Sequence, residues 1–418
     1  MEQIATTRCD VAVVGAGLAG LAAAELLRRR GAQVVVLDAG VHGGRARTDT
    51  VDGFRFNRGA HALYLGGQAA AVLDELGVPT PGGPPASATF GRRGDLVDRL
   101  PADARTLMTT SLVGWRGRLA VARVLSAVKR WRPAELAHVS VAQWLDDMHL
   151  PADAADLLLA LVRVSSYGNA PEVMSADLAA MQIQLALGAG VRYLDGGWQS
   201  MVDHLVARLD VHRATVTAVE ADGGDVAVSL AGGGAVVAGS VIVATGTPAA
   251  AAALLGRAAF ACGPVVEASC LALGTRRPPA HGFLLGLDMP LYLSTHHPPA
   301  RLAPPGHQVI ELMRYLTPGE RPSPAEVRAD LDAHGRLAGI AEDDVVASRA
   351  LHRMVVCGAL ATVEHGGMAG RVAVTGAGVP GVLLAGDWVG AEGHLLDAAL
   401  ASARRAADLA TRRVAAAV

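Results

Sequence analysis

Residues 9–40 read CDVAVVGAGLAGLAAAELLRRRGAQVVVLDAG, and this stretch decides the fold. Val11 to Val14 is a short apolar run of the kind found in buried strands. Gly15, Gly17 and Gly20 then form G-x-G-x-x-G where a strand gives way to a helix. Ala22, Ala23, Leu26 and Leu27 give that helix an apolar face, and Gly31 ends it. Val34 to Leu37 is a second apolar run, closed by Asp38. Each position has a physical task. Gly15 permits a sharp turn, Gly17 leaves room for a pyrophosphate at the backbone, and Gly20 lets the helix pack closely on the strand. The helix N-terminus favours an anion. Asp38 can accept hydrogen bonds from a ribose hydroxyl pair. The unit predicts a Rossmann-like α/β fold that binds a dinucleotide. An acid at position 38 disfavours a 2′-phosphate, which leaves FAD or NAD.

Residues 42–64, HGGRARTDTVDGFRFNRGAHALY, separate these two. Gly43, Gly44 and Arg45, followed by Thr48, set a flexible glycine pair and a guanidinium beside the first phosphate loop. A second contact to the pyrophosphate suits a ligand lying extended through the domain, and an NAD site has little use for one. Near the other end, the apolar run Val382 to Ala385 stops at Gly386-Asp387, and an Ala/Leu-rich helix follows. That is a second strand-turn-helix unit presenting backbone N–H groups and one carboxylate.

Together the motifs Gly15-Ala16-Gly17-Leu18-Ala19-Gly20, Gly43-Gly44-Arg45-Ala46-Arg47-Thr48, Gly59-Ala60-His61, Tyr193-Leu194-Asp195-Gly196-Gly197, Val243-Ala244-Thr245-Gly246 and Ala385-Gly386-Asp387 resemble those of the flavin-dependent amine oxidase and phytoene desaturase superfamily, which includes protoporphyrinogen oxidases. The resemblance covers nearly the whole chain. It implies an α/β protein: a Rossmann-like, GR2-type FAD-binding domain with a discontinuous α+β substrate domain. It also implies FAD contacts at Gly15, Gly17, Leu18, Ala19, Gly20, Asp38, Ala39, Gly44, Arg45, Gly59, Ala60, His61, Val216, Ala244, Gly386, Asp387, Leu395 and Leu396. Within that set, Asp38 meets the adenosine ribose, Val216 the adenine and Arg45 the phosphates. Gly59 and Ala60 lie along the isoalloxazine, Asp387 meets the ribityl or phosphate oxygens, and the N–H groups of Leu395 and Leu396 face the pyrimidine edge. No cysteine lies near residues 385–400, so the FAD is expected to be non-covalent. The chain departs from the family pattern in the spacer "AGVH" after Asp38, one residue short, and at Ala398 and Ala403, where glycines often stand.

Composition agrees with this reading. With 418 residues the chain is too long for one small core, so two domains are expected. Its 49 glycines, 51% hydrophobic and 4% aromatic residues favour a Gly-turned, Ala/Val/Leu-packed α/β protein over a disordered one. A net charge of -2 offers no electrostatic case for nucleic acid. Four scattered cysteines and 14 histidines show no metal or disulfide spacing. No secretory leader or bilayer-length apolar run is visible, so a cytoplasmic protein is expected. The expected FAD-binding domain comprises residues 1–95, 193–264 and 351–418, and the substrate domain residues 96–192 and 265–350. Hairpin turns at Gly223-Gly224 and Gly232-Gly233-Gly234 mark a β-meander returning to a strand, Val241 to Val243. In the substrate domain, Ser140 reads as the N-cap of a helical lobe and residues 267–320 as strands broken by Pro/Gly turns.

Residues 112–132 carry Arg116, Arg118, Arg123, Lys129, Arg130 and Arg132 and no acid. Val121, Val124, Leu125 and Val128 form one helical stripe between them. A solvated helix packed on its own domain is the plain reading. The sharper one is peripheral membrane contact, with the helix on anionic lipid.

The resemblance implies hydride transfer from substrate carbon to flavin N5. Many amine oxidases of the superfamily keep a lysine, joined through water to N5, on a substrate-domain strand. Here Lys129 is the only lysine, and it lies in the basic helix. The expected function is therefore dehydrogenation of a largely apolar small molecule, with oxygen or a quinone-like compound as final acceptor. An amine or amino-acid oxidase, a non-redox flavin isomerase and a prenyl-group binder are the alternatives. His61 is the candidate catalytic residue, for substrate orientation or proton exchange, with a structural role equally open. Tyr167, Tyr292, His296 and Tyr315 are candidates for the substrate pocket.

Overall fold

The computed structural model describes residues 7–417, so the reading of the first six residues lies outside it. The predicted β-α-β unit is present as strand Thr7–Val14, helix Leu18–Arg29 and strand Val34–Asp38. The two strands run parallel, with Val14 opposite Leu37. Their seven-stranded sheet has the order Val211–Arg213, Val34–Asp38, Thr7–Val14, Ala235–Val243, Asp225–Leu230, Val216–Asp222, and Val382–Leu384 also pairs with Ala235–Val243. The long strand Ala235–Val243 has two partners. Its first half closes the antiparallel meander, Val236 opposite Val228, and its second half pairs in parallel with Val382–Leu384, Val243 opposite Leu384. The meander feeding a parallel strand matches the sequence expectation.

This register has a consequence for the site. Val14, Val243 and Leu384 lie side by side, so three parallel strands end together at Gly15, Ala244 and Ala385. Ligands of open α/β sheets bind at such carboxyl ends. Val11, Ala12, Val13, Val241, Ile242 and Val243 are fully buried, as expected for parallel strands covered on both faces. The fingerprint helix and the final helix, Leu396–Ala417, pack together through buried Ala22, Ala23, Ala403, Ala406 and Ala407. Ala403, one of the alanines that replace glycine late in the chain, therefore fits a close helix contact.

A second seven-stranded sheet has the order Val345–Cys357, Val266–Thr275, Gln308–Tyr315, Leu291–His297, Phe283–Gly286, Phe90–Arg93, Leu96–Arg99. The expected domain cuts fall inside elements of this sheet. The cut between 95 and 96 divides the hairpin Phe90–Arg93 and Leu96–Arg99, and the cut between 350 and 351 divides the strand Val345–Cys357. The expected cuts follow the segments that fall outside the FAD motifs, and motif positions do not register that a strand can pair with a sheet far away in sequence. The helical lobe is made of Trp115–Ala127, Val141–Asp147, Ala152–Ser166 and Ala176–Leu187. Ser140 caps the second of these, its Oγ accepting from Gln143 N at 3.1 Å. In the basic helix Val121 and Val128 are buried. Arg118 and Arg123 donate to backbone carbonyls of their own lobe, at Val113, Met108, Thr110 and Met148.

Candidate functional site

A cavity of about 910 Å³ follows the carboxyl ends of the first sheet and extends under the second. It is near the upper end of the ~300–1,000 Å³ range of small-molecule sites. At one end Asp38 is held by two backbone amides, Ala16 N to Oδ2 at 2.6 Å and Gly40 N to Oδ1 at 2.8 Å. Val216 lines the same end. In the middle, Gly15 has φ +110, and a Cβ there would lie 2.6 Å from Ala244 O. A Cβ on Gly17 would meet nothing within 4 Å, so this turn opens into free space. Gly20 does not line the cavity: a Cβ there would lie 1.9 Å from Gly15 O, so its role is the close packing of helix on turn.

The second glycine loop is seated on the first, with Gly43 N donating to Ala16 O at 2.8 Å. This brings Arg45 across the cavity to Asp387. Arg45 Nη2 lies 2.8 Å from Asp387 Oδ1, a close ion pair without an aligned hydrogen bond, and Nη1 donates to Val356 O at 3.2 Å. Burial opposes the Arg45 charge, but the Asp387 carboxylate outweighs it and holds the guanidinium above its ordinary value. Asp387 is buried, and its Oδ2 accepts from Gly358 N at 3.1 Å. The preceding Gly386 is clasped by Ser402 of the final helix, whose Oγ bonds both Gly386 N and Gly386 O at 3.0 Å.

The far end is formed by Gly59, Ala60, His61, Tyr167, Leu395 and Leu396, with Met313, Leu351, Met354 and Val356 from the second sheet. Tyr167 Oη donates to Ala60 O at 2.6 Å. His61 Nδ1 lies 2.7 Å from Gly59 O, and its ring packs on Trp198 at 4.3 Å. A carbonyl can only accept, so Nδ1 carries the proton. Burial, aided by the charges of Arg349 and Arg45, lowers His61 to about 4. Asp397 also lines the cavity. Its Oδ1 accepts from Ala69 N at 2.7 Å, its Oδ2 has no partner among the described residues, and burial raises it to about 6. His394 faces elsewhere, its Nε2 donating to Ser166 O at 2.9 Å.

Of the sequence candidates, every FAD contact except Gly20 lines this one cavity, as does Tyr167. Tyr292, His296 and Tyr315 do not. They are buried within the second sheet, where Tyr193 stacks on His296 at 3.7 Å and its hydroxyl meets Tyr292 at 3.3 Å. Sequence reasoning passed over Trp198, Met313, Leu351, Met354, Asp397 and Ser402. The first five line the cavity, and none stands in a recognisable motif. The only lysine, Lys129, is exposed on a 3₁₀ turn, so no lysine faces the cavity.

The profile of a family described as "Flavin containing amine oxidoreductase" matches residues 18–411. A Mycobacterium tuberculosis protein named "Putative flavin-containing monoamine oxidase AofH" is 33% identical over 267 residues, 56% of this chain and 56% of that protein. Coproporphyrinogen III oxidase of Propionibacterium freudenreichii is 33% identical over 132 residues, 27% of this chain and 24% of that one. The matches thus span little more than half of the first relative and about a quarter of the second. Among solved structures, putrescine oxidase bound to putrescine superposes with a TM-score of 0.73 at 20% identity, covering 97% of this chain and 100% of that one. A fatty acid isomerase from P. acnes superposes with a TM-score of 0.66 at 16% identity, covering 97% and 98%. These two likenesses concern the fold.

Proposed function

The chain belongs to the flavin-containing amine oxidoreductase family, and on that premise we propose that it is an FAD-dependent dehydrogenase of a largely apolar small molecule. The fit of FAD to the cavity rests on the free space over Gly17 and on the buried Asp387 and Arg45 that meet at its middle. Asp38 and Val216 would hold the adenosine, Gly15, Gly17 and Arg45 the pyrophosphate, Asp387 the ribityl chain, and the N–H groups of Leu395 and Leu396 the flavin edge. FAD, when bound, supplies the hydride acceptor. The residues do the rest. Tyr167, by its bond to Ala60 O, keeps the 59–61 backbone against the cavity. The neutral imidazole of His61 orients substrate. A group lowered to about 4 is a weak proton acceptor at neutral pH, so the orienting role is preferred over proton exchange. Oxygen or a quinone-like molecule is the proposed final acceptor.

The observation that carries the apolar reading is the far wall, made of Met313, Leu351, Met354, Val356 and Leu395 with no lysine. The amine-oxidase reading has one observation of its own, the unpartnered Asp397 Oδ2, which could pair with an ammonium group. Anaerobic titration of the FAD-loaded protein decides between them. Bleaching of the flavin band by unsaturated or cyclic apolar compounds, and not by amines, is the expected result. Bleaching by amines alone, with peroxide release on admission of air, would overturn the proposal.

We also propose peripheral membrane contact through residues 112–132. No helix among the described residues is long and apolar enough to cross a membrane. Yet Trp115 and Leu119, one turn apart on the basic helix, are 67% and 66% exposed. On its other side the same helix buries Ala120 and Val121 in the core that contains Ala60 and Tyr167. Co-sedimentation with phosphatidylglycerol vesicles is expected at low salt. The double variant Trp115→Ser and Leu119→Ser should reduce it about tenfold or more, since each exposed apolar side chain contributes ~1.5–3 kcal/mol when buried. Failure of the wild-type protein to sediment with these vesicles would refute the contact.

A further inference from the structure

Three arginines meet one carboxylate at the rim of the cavity. Asp49 lies on the strand Thr48–Val51, which follows the second glycine loop. Its Oδ2 accepts from Arg349 Nη1 at 2.6 Å. Arg47 Nη2 stands 3.5 Å from Oδ1 and Arg58 Nε 3.6 Å from Oδ2, and neither is aligned as a hydrogen bond. One carboxylate offsets one of three guanidinium charges, so the group keeps an excess of positive charge. Like charges in solvent would separate. These two arginines are held together by Asp49 and by the bond from Arg58 N to Arg47 O at 3.1 Å.

Arg47 and Arg58 both line the cavity, and their side chains are 28% and 39% exposed. Asp49 is the only partner of either guanidinium among the described residues. The Nε of Arg58 is buried, but its Nη groups and all three side-chain nitrogens of Arg47 are open to solvent. Arg58 immediately precedes Gly59, Ala60 and His61 of the far end. Arg349 and Leu351, two apart on one strand, share a face of the second sheet, and Leu351 belongs to the apolar wall. The open charge therefore borders the apolar end. The carboxylates that line the cavity do not neutralise it. Asp38 is held by two amides at the adenosine end, Asp387 faces Arg45, and Asp397 accepts from Ala69 N. A guanidinium fork with free N–H groups matches the oxygens of a carboxylate or a phosphate.

We propose that Arg47 and Arg58 receive an anionic oxygen group of the substrate, a carboxylate or a phosphate, at the mouth of the cavity, while its apolar part reaches inward to Leu351 and Met354. This rests on the apolar reading of the cavity and adds the chemical class, an amphipathic anion. Neither arginine is a catalytic residue under this proposal; they set specificity and register.

The test uses the FAD-loaded full chain, titrated with decanol, decanoate and decyl phosphate below their aggregation limits, and reads the perturbation of the flavin absorbance. At least one anion is expected to bind about tenfold more tightly than decanol, the scale of charge-assisted bonds to partly exposed donors. The tighter of the two identifies the head group. High salt should shrink the preference, because the arginines are open to solvent. The double variant Arg47→Gln and Arg58→Gln should remove it, and Arg47→Lys with Arg58→Lys should keep part, since the charge stays and the fork is lost. Equal binding of all three probes by the wild-type protein would overturn the anion site and leave the apolar reading standing. Binding of none would overturn both. A double glutamine variant that folds by circular dichroism but loses its flavin would assign the pair to the cofactor and overturn the proposal. The wild-type comparison needs no variant, so a folding defect cannot obscure the answer.

Discussion

Replacing Asp387 by alanine is expected to strip FAD from the protein. Asp387 is buried, faces Arg45 at 2.8 Å and accepts from Gly358 N at 3.1 Å. Its loss leaves a half-buried guanidinium without its counter-charge and a buried amide without its acceptor. Breaking a buried pair on one side costs about 3–5 kcal/mol, equivalent to at least ~100-fold in FAD affinity if the cost falls on the bound state. The check is the ratio of flavin to protein absorbance after gel filtration, with circular dichroism to confirm that the chain still folds. Asp387→Asn keeps an acceptor for Gly358 N and loses the charge, so it should retain an intermediate amount. Full flavin content in Asp387→Ala would show that this turn does not hold the cofactor.

Glu311→Gln is expected to stabilise the protein, by an amount that depends on pH. Glu311 is 1% exposed, opposite Ser294 and Ala272 in the second sheet, and neither carboxylate oxygen has a hydrogen-bond partner among the described residues. Burial raises it from 4.5 to about 8, with Arg349 offsetting only part of this. The Arg349 guanidinium is committed elsewhere, to Asp49 at 2.6 Å and to Asn57 O. The folded state therefore keeps a proton that the unfolded state releases between pH 4.5 and 8. Over that window the Glu311 contribution to stability falls as pH rises, and above 8 it is level.

Glutamine carries no such cost. The variant should match the wild type at pH 4.5 and exceed it at pH 8 by up to about 5 kcal/mol, an upper bound that relaxation will reduce. The buried histidines act in the opposite sense. His296, lowered to about 3, and His61, His334 and His394, each lowered to about 4, withdraw stability as pH falls below 6.5. They are common to both proteins, so the difference between variant and wild type isolates Glu311. Urea midpoints at pH 5 and pH 8 provide the measurement. A difference of the same size at both values would refute the assignment of a buried, protonated carboxyl.

Some of this site was legible because its chemistry is local. The turn at Gly15, the space at Gly17 and the packing at Gly20 are properties of six consecutive residues, and residue type plus spacing is enough to read them. The same holds for Gly386-Asp387, where a strand ends at an acid. The wall of the cavity is different. Alternation along Gln308–Tyr315 shows that the strand has two faces, but not which residues of one face meet the cavity. Met313 lines it, while Tyr315, two residues on and in the same orientation, lies behind Tyr167. Met354 lines it although it is paired within its own sheet, opposite Ala268, because that end of the thirteen-residue strand borders the cavity.

The sequence by itself determined the dinucleotide fold, the second glycine loop with its arginine, and the single lysine that lies away from every cofactor motif. Each follows from what a few adjacent residues can or cannot do. Only the tertiary structure decided that Arg45 and Asp387, 342 positions apart in number, share one ion pair, that His61 is held neutral, and that the carboxylate of Glu311 is buried with no hydrogen-bond partner among the described residues. Burial and pairing are properties of which surfaces come together, and the electrostatics of this site depend on both.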